Sequence, residues 1–180
     1  GIYSRHKAEF IAWRMHYWNY FKESVGFCNW AYAQLFSQAH PQGHGHTPEI
    51  EPKYINAVTG KNRTFDEHLE IGRRSWNLKR AIFAIQGRHK KMENFTGYYY
   101  KPGASYSGFF NILPVFDGKA WDWQDCRELY LSREGVDTFK THYYRVEGWN
   151  EDSGYPTRKT LEGLDLKYAA DHLEKQGKLG

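Results

Sequence analysis

Thr64-Phe65-Asp66-Glu67-His68-Leu69-Glu70-Ile71-Gly72-Arg73-Arg74-Ser75-Trp76-Asn77-Leu78-Lys79-Arg80-Ala81-Ile82-Phe83-Ala84-Ile85-Gln86-Gly87 reads as a helix with both ends marked. Thr64 followed three residues later by Glu67 has the form of a capping box, in which each side chain satisfies a backbone N–H that the helix start leaves without a partner. Gly87 supplies the residue that takes positive φ at little cost just past a helix end. Between these ends Phe65, Leu69, Gly72, Trp76 and Phe83 fall on one line. Ile71, Leu78, Ile82 and Ile85 make a second apolar line about a third of a turn away. Asp66, Glu70, Arg73, Asn77 and Arg80 form the remaining polar arc. A helix apolar on two sides is buried on two sides, so this element is expected at the centre of the fold.

Upstream, Ser4 to about Ser24 also has helical spacing, with Ser4 as N-cap. Phe10, Trp13, Tyr17, Phe21 and Ser24 lie on one stripe, and Ile11 and Trp18 on a second. Lys7, Glu9, Arg14 and Lys22 are assigned to the solvated side, and Gly26 ends the helix. Cys28 to Ala39 has the pattern of another short helix. The run His40-Pro41-Gln42-Gly43-His44-Gly45-His46-Thr47-Pro48 is a loop by composition. Its histidines suit zinc or nickel only if a fixed four-ligand geometry is completed, so a solvent-facing loop, or a lid beside a site, is the plainer reading. Glu49 to Thr59 reads as a short helix closed by Gly60.

Downstream, Arg88, His89, Lys90 and Lys91, with Arg73 and Arg74, suit contact with phosphates or an acidic redox partner. The favoured alternative is a solvated helix end that complements the helix dipole. Residues 94–123 carry Tyr98, Tyr99, Tyr100, Tyr106, Phe109, Phe110, Trp121 and Trp123 without a period, the mark of a long aromatic loop or short hairpin. Asp122, Asp125 and Glu128 are read as a solvated face rather than as acid–base carboxylates. Ser132 caps a helix carrying Val136, Phe139, Tyr143 and Val146 that ends at Gly148. Trp149 to Tyr155 is a turn. Pro156-Thr157 starts a short helix with Leu161 and Leu164, and Asp165 to Gln176 forms the last, closed by Gly177. The expected class is all-α, an irregular helical bundle with long aromatic loops, in one domain over residues 1–180.

Composition agrees with a folded protein: 40% of the 180 residues are hydrophobic and 18% aromatic, whereas disordered chains are poor in rings. So many aromatics imply surfaces covered by a cofactor, a substrate channel or a neighbouring domain. Lys and Arg number 25 against 21 Asp and Glu, a net +4, too balanced for a nucleic-acid interface. Two cysteines make no disulfide framework, and no apolar run suits a signal peptide or membrane span, so a reducing, cytoplasmic setting is expected. The chain opens on Gly1 rather than Met, which suits a piece of a longer polypeptide. Dinucleotide and phosphate-loop glycine motifs and a nucleophile elbow are absent from the sequence.

The candidate site is Glu23-Ser24-Val25-Gly26-Phe27-Cys28. A carboxylate, a glycine turn and a thiol in this order can hold a polar ligand beside a metal centre, although a lone cysteine behind a helix is more often a packing residue. Three strings resemble the tungsten-containing aldehyde:ferredoxin oxidoreductase family. Glu23-x-x-Gly26-Phe27-Cys28 resembles its acid-x-x-Gly-Leu-Cys motif. Gly72-Arg73-Arg74-x-x-Asn77-Leu78-x-Arg80 resembles its Gly-Glu-Arg-x-x-Asn-Leu-x-Arg helix. Tyr143-Tyr144-x-x-x-Gly148-Trp149-Asn150, Gly154-x-Pro156-Thr157 and Leu161-x-x-Leu164-x-Leu166 resemble its C-terminal signature. Their order and approximate spacing agree across nearly the whole chain.

The resemblance implies the C-terminal helical domain of such an enzyme. It places Glu23 on the pterin of a tungsten (or molybdenum) bis-pterin cofactor, with Gly26 and Phe27 beside it, and makes Cys28 a ligand of a [4Fe–4S] cluster. Glu23 stands where the family usually has Asp, and Phe27 where it has Leu. Cys126 lies in no matching motif, so the other cluster ligands are expected on upstream domains or on another chain of the same enzyme. The implied reaction is oxidation of a small aldehyde to a carboxylic acid, with electrons passed to ferredoxin or another iron–sulfur carrier. The alternatives are a benzoyl-CoA-reductase-type member of the family and a metal-free, aromatic-rich binding module. No catalytic acid or base is assigned.

Overall fold

The computed structural model describes residues 2–26, 50–102, 112–116, 119–125 and 129–180, with 113–116 as backbone. Helix α1 (Arg5–Tyr17) starts at Ser4, whose hydroxyl accepts from the amide of Lys7. It runs on into a π-helical segment, Trp18–Ser24. Helices α2 (Ile50–Thr59) and α3 (Phe65–Ile85) follow. Two single 3₁₀ turns, Lys90–Met92 and Gly97–Tyr100, lead to a hairpin of β1 (Ile112–Phe116) and β2 (Trp121–Asp125). The strands are antiparallel, with Ile112 opposite Asp125 and Phe116 opposite Trp121. Helices α4 (Arg133–Glu147), α5 (Arg158–Gly163) and α6 (Lys167–Lys175) complete an all-α architecture whose only sheet among the described residues is this hairpin.

Helix α3 is central because its two halves feed two separate apolar clusters. Phe65, Leu69 and Ile71 pack on Tyr17, Tyr20, Phe21 and Ile55. One turn and more further on, Leu78, Ala81 and Ala84 pack with Leu161, Leu164, Leu166, Ala170 and Leu173 from the C-terminal helices. The capping box predicted from Thr64 and Glu67 is formed in both directions. Gly72 explains itself at the crossing with α1: a Cβ there would overlap the carbonyl oxygen of His16. Glycine inside a helix costs about 1 kcal/mol relative to alanine, and close backbone approach is the return for it.

Three expectations are corrected. The first helix does not keep α geometry to Ser24. From Trp18 the turn widens, so each residue advances less far round the axis and the phase of the α stripe is lost. The consequence falls on Lys22, expected in solvent but buried, its ammonium against the carboxylate of the equally buried Glu51. Phe10, on the predicted apolar stripe, is exposed, though it begins a ladder of rings through Trp13 and Tyr17 to Phe21. Two residues of the polar arc of α3, Asn77 and Arg80, are buried as well. Asn77 accepts from Trp149 and Arg80 donates to Gly154, both in the C-terminal third. Arg80 also pairs with Glu93, although its Nη2 has no hydrogen-bond partner among the described residues. Helical periodicity cannot show such partners.

The remaining boundaries follow the predicted ones closely. Gly60, Gly87, Gly148 and Gly177 end their helices at positive φ, and Ser132 and Thr157 cap α4 and α5. The last helix starts at Lys167, two residues later than expected, because Asp165 takes a left-handed φ of 57°. The predicted helix over 28–39 and the histidine loop over 40–48 lie outside the described residues.

Candidate functional site

The carboxylate of Glu23 sits at the end of the π-helical segment, half-exposed. One oxygen is paired with the ammonium of Lys79 on α3, which is similarly open. Gly26 follows at φ +81°, with open space where a Cβ would stand. A side chain would strain the left-handed backbone at this point. Phe27 and Cys28, the other two predicted site residues, lie outside the described residues, as does Cys126. Among the described residues no group of three or more His, Cys, Asp and Glu side chains is arranged to hold a metal ion.

Behind Glu23 the π-helical segment is packed with polar groups. Asn19 donates to the Met15 carbonyl at 2.7 Å. The imidazole of His68, fully buried, stacks on Tyr20 and donates from Nε2 to Asn56 Oδ1 at 3.1 Å. Burial, then the positive charge of Arg63, pushes the His68 pKa down. Burial pushes the Glu51 carboxyl up, to about 7. Neither Glu51 nor His68 was singled out in the sequence, and Lys22 was assigned to the solvated side. Lys22 and His68 fall within helical stretches where α periodicity assigns them elsewhere, so the signal was masked rather than missing.

The second and third family-like strings meet in a buried network. Trp149 Nε1 donates to Asn77 Oδ1 at 2.7 Å, and Asn77 Nδ2 donates to the Arg73 carbonyl at 3.0 Å. Arg80 lies 4.5 Å from the ring centre of Trp149, donates from Nε to the Gly154 carbonyl at 2.8 Å and pairs with Glu93. Tyr144 donates its hydroxyl to the same Glu93 carboxylate, and Arg88 donates to it at 2.7 Å. Burial alone would push the Glu93 carboxyl up. The hydrogen bonds from Arg80 and Tyr144 and the charge of Arg80 outweigh it and hold the carboxyl below its usual range. Burial, reinforced by Glu93, raises the Tyr144 hydroxyl. Gly154 is required here: at φ +75° a Cβ would press on the Arg80 guanidinium and the Tyr144 ring. Trp76 Nε1 donates to Tyr143 Oη at 2.8 Å, and His16 Nε2 lies 3.0 Å from an oxygen of the fully buried Glu147. Burial is the main cause that raises the Tyr143 hydroxyl, with Glu147 adding to it.

These motif residues therefore hold elements together: α3 to the 149–156 turn, and α1 to α4. Glu93, the hub, had no signal in the sequence, because a carboxylate in an aperiodic stretch looks the same whether solvated or buried. The basic run after α3 is largely committed within the chain. Arg88 reaches Glu93, and Lys90 donates to the Glu151 carbonyl at 2.8 Å. Asp122 is exposed on β2 and accepts from the next residue's amide, a solvated face as read from the sequence. Tyr98 and Tyr99 are exposed in their 3₁₀ turn. Among the described residues no helix is long and apolar enough to cross a membrane.

Residues 2–166 match the family model described as aldehyde ferredoxin oxidoreductase, domains 2 & 3.

Proposed function

The chain belongs to the aldehyde ferredoxin oxidoreductase family, and from that premise we propose that it completes a tungsten (or molybdenum) bis-pterin site and a neighbouring [4Fe–4S] site in an aldehyde-oxidising enzyme. The observation that carries the reading is the position of Glu23. Its carboxylate stands at a half-exposed helix end, three residues before a left-handed glycine, and among the described residues only one of its oxygens is engaged, by Lys79. A carboxylate is an acceptor with capacity to spare and suits the amino and ring N–H donors of a pterin. Thiolate is the ligand that iron–sulfur clusters take, which assigns Cys28. With two cysteines in the chain, the rest of a four-thiolate cluster comes from upstream domains or another chain of the same enzyme.

When bound, the metal–pterin supplies the two-electron oxidation of an aldehyde and water to a carboxylic acid and two protons, the electrons leaving through the cluster to a ferredoxin-type carrier. The part played by this chain is binding and orientation. Glu23 would accept from the pterin and Cys28 would ligate the cluster, with Gly26 and Phe27 beside the pterin. The rigid network around Asn77, Arg80 and Trp149 holds α3, and with it Lys79, in place behind Glu23.

Metal analysis and low-temperature electron paramagnetic resonance of the intact protein test this. Tungsten or molybdenum with iron, and a reduced-cluster signal that Cys28→Ser abolishes, are the expected results. Intact protein purified under anoxic conditions with neither iron nor either heavier metal would overturn the reading.

A further inference from the structure

A cleft of about 560 Å³ opens between α3, the C-terminal end of α4 and α5, a size within the range of small-molecule sites. Three cations line it, one from each element: Arg73, Arg145 and Lys159. The single carboxylate in the lining, Glu151, is neutralised, because Arg145 forks onto it with bonds of 2.6 and 2.8 Å. Arg73 has its nearest carboxylate, Glu70, at 3.7 Å, beyond hydrogen-bond range. Lys159 has no acidic partner among the described residues. The Arg73 donors thus make no hydrogen bond to the Glu70 carboxylate, and Lys159 adds a second cation to the same concavity.

Helix-end carbonyls do not consume these charges. The Tyr144 carbonyl at the end of α4 accepts from the Trp149 amide at 2.8 Å, and the Gly148 carbonyl accepts from the hydroxyls of Thr157 and Thr160 at 2.8 and 2.7 Å. A guanidinium with free donors is a planar fork that matches an oxyanion. Arg73 also stands at the place where the family-like helix string quoted above has Glu, so the sign of the cleft is a property of this chain.

We propose that this cleft binds a small molecule bearing two negative charges on oxygens, a phosphate monoester or a dicarboxylate, between Arg73 and Lys159. Neither Glu23 nor Lys79 lines this cleft, and the proposal does not rest on the pterin assignment.

Calorimetric titration of the intact protein with pyrophosphate and with succinate, at low and high salt, tests the proposal. Saturable binding that salt weakens is expected, reduced about tenfold or more by Arg73→Glu and by Lys159→Gln, and unchanged by Lys53→Gln on the exposed side of α2. Binding of pyrophosphate alone identifies phosphate esters, and of succinate alone dicarboxylates. Because Lys159 is exposed, its substitution keeps the test valid even if Arg73→Glu misfolds. Absence of binding by both probes, or equal losses in Lys159→Gln and Lys53→Gln, would overturn the proposal.

Discussion

The indole of Trp149 donates to the side-chain oxygen of Asn77 at 2.7 Å across 72 positions of sequence. Both groups are buried, Asn77 fully, and the bond joins the central helix to the turn that follows α4. Its worth lies less in the bond than in what its loss would strand, since a buried polar atom without a partner keeps its whole desolvation cost.

Replacing Trp149 by Phe leaves Asn77 Oδ1 unpartnered and weakens the stacking of Arg80. A loss of about 1–3 kcal/mol is expected, measured by urea unfolding. The double variant Trp149→Phe with Asn77→Leu should recover part of it. Equal stability of Trp149→Phe and the parent would show that the bond is not formed in solution.

Gly72→Ala and Gly163→Ala form a contrasting pair. At Gly72 the added methyl meets the backbone carbonyl of His16, which cannot swing aside, whereas nothing lies within 4 Å of a Cβ at Gly163. A loss of about 1–3 kcal/mol or more is expected for the first. The second should be neutral or stabilising by about 0.4–1 kcal/mol. Thermal melts of both decide.

Lys22 and Glu51 are buried together, so removing one charge should harm more than removing both. Lys22→Met is expected to cost about 3–5 kcal/mol, and Lys22→Met with Glu51→Leu to regain most of that. The cycle collapses to simple additivity if the pair is solvated.

The pH dependence of stability has a defined sign at Glu93. Its folded-state pKa is depressed below the ordinary 4.5, so the stability it contributes is present above about pH 4.5 and is lost as pH falls through the folded-state value. Glu93→Gln should be less stable at neutral pH and show a shallower loss on acidification. Urea midpoints measured across pH 3–7, a window set by that linkage, check this.

Glu23→Gln should leave folding intact, because exposed ion pairs such as that with Lys79 contribute about 0–1 kcal/mol. Under the proposed function its pterin and heavy-metal content should fall while the melting temperature holds. A parallel drop in both would assign Glu23 a merely structural part.

Helix positions were legible wherever their cause is local. Caps at Ser4, Thr64, Ser132 and Thr157 and stops at Gly26, Gly60, Gly87, Gly148 and Gly177 act within a turn of their own residue, so composition and spacing suffice to place them. Family membership was legible for a related reason: the strings are fixed residue types at fixed spacing. Of the candidate site, Glu23 and Gly26 stand at the predicted helix end, and Phe27 and Cys28 lie outside the described residues.

What only the tertiary structure decided is the fate of charge. Lys22, Glu51, Arg80 and Glu93 read the same in a sequence whether solvated or buried, and which they are depends on partners 13 to 29 or more positions away. Solvation is set by what arrives from elsewhere in the chain, and α periodicity, which a π-helical turn alone can dephase, carries no record of that arrival.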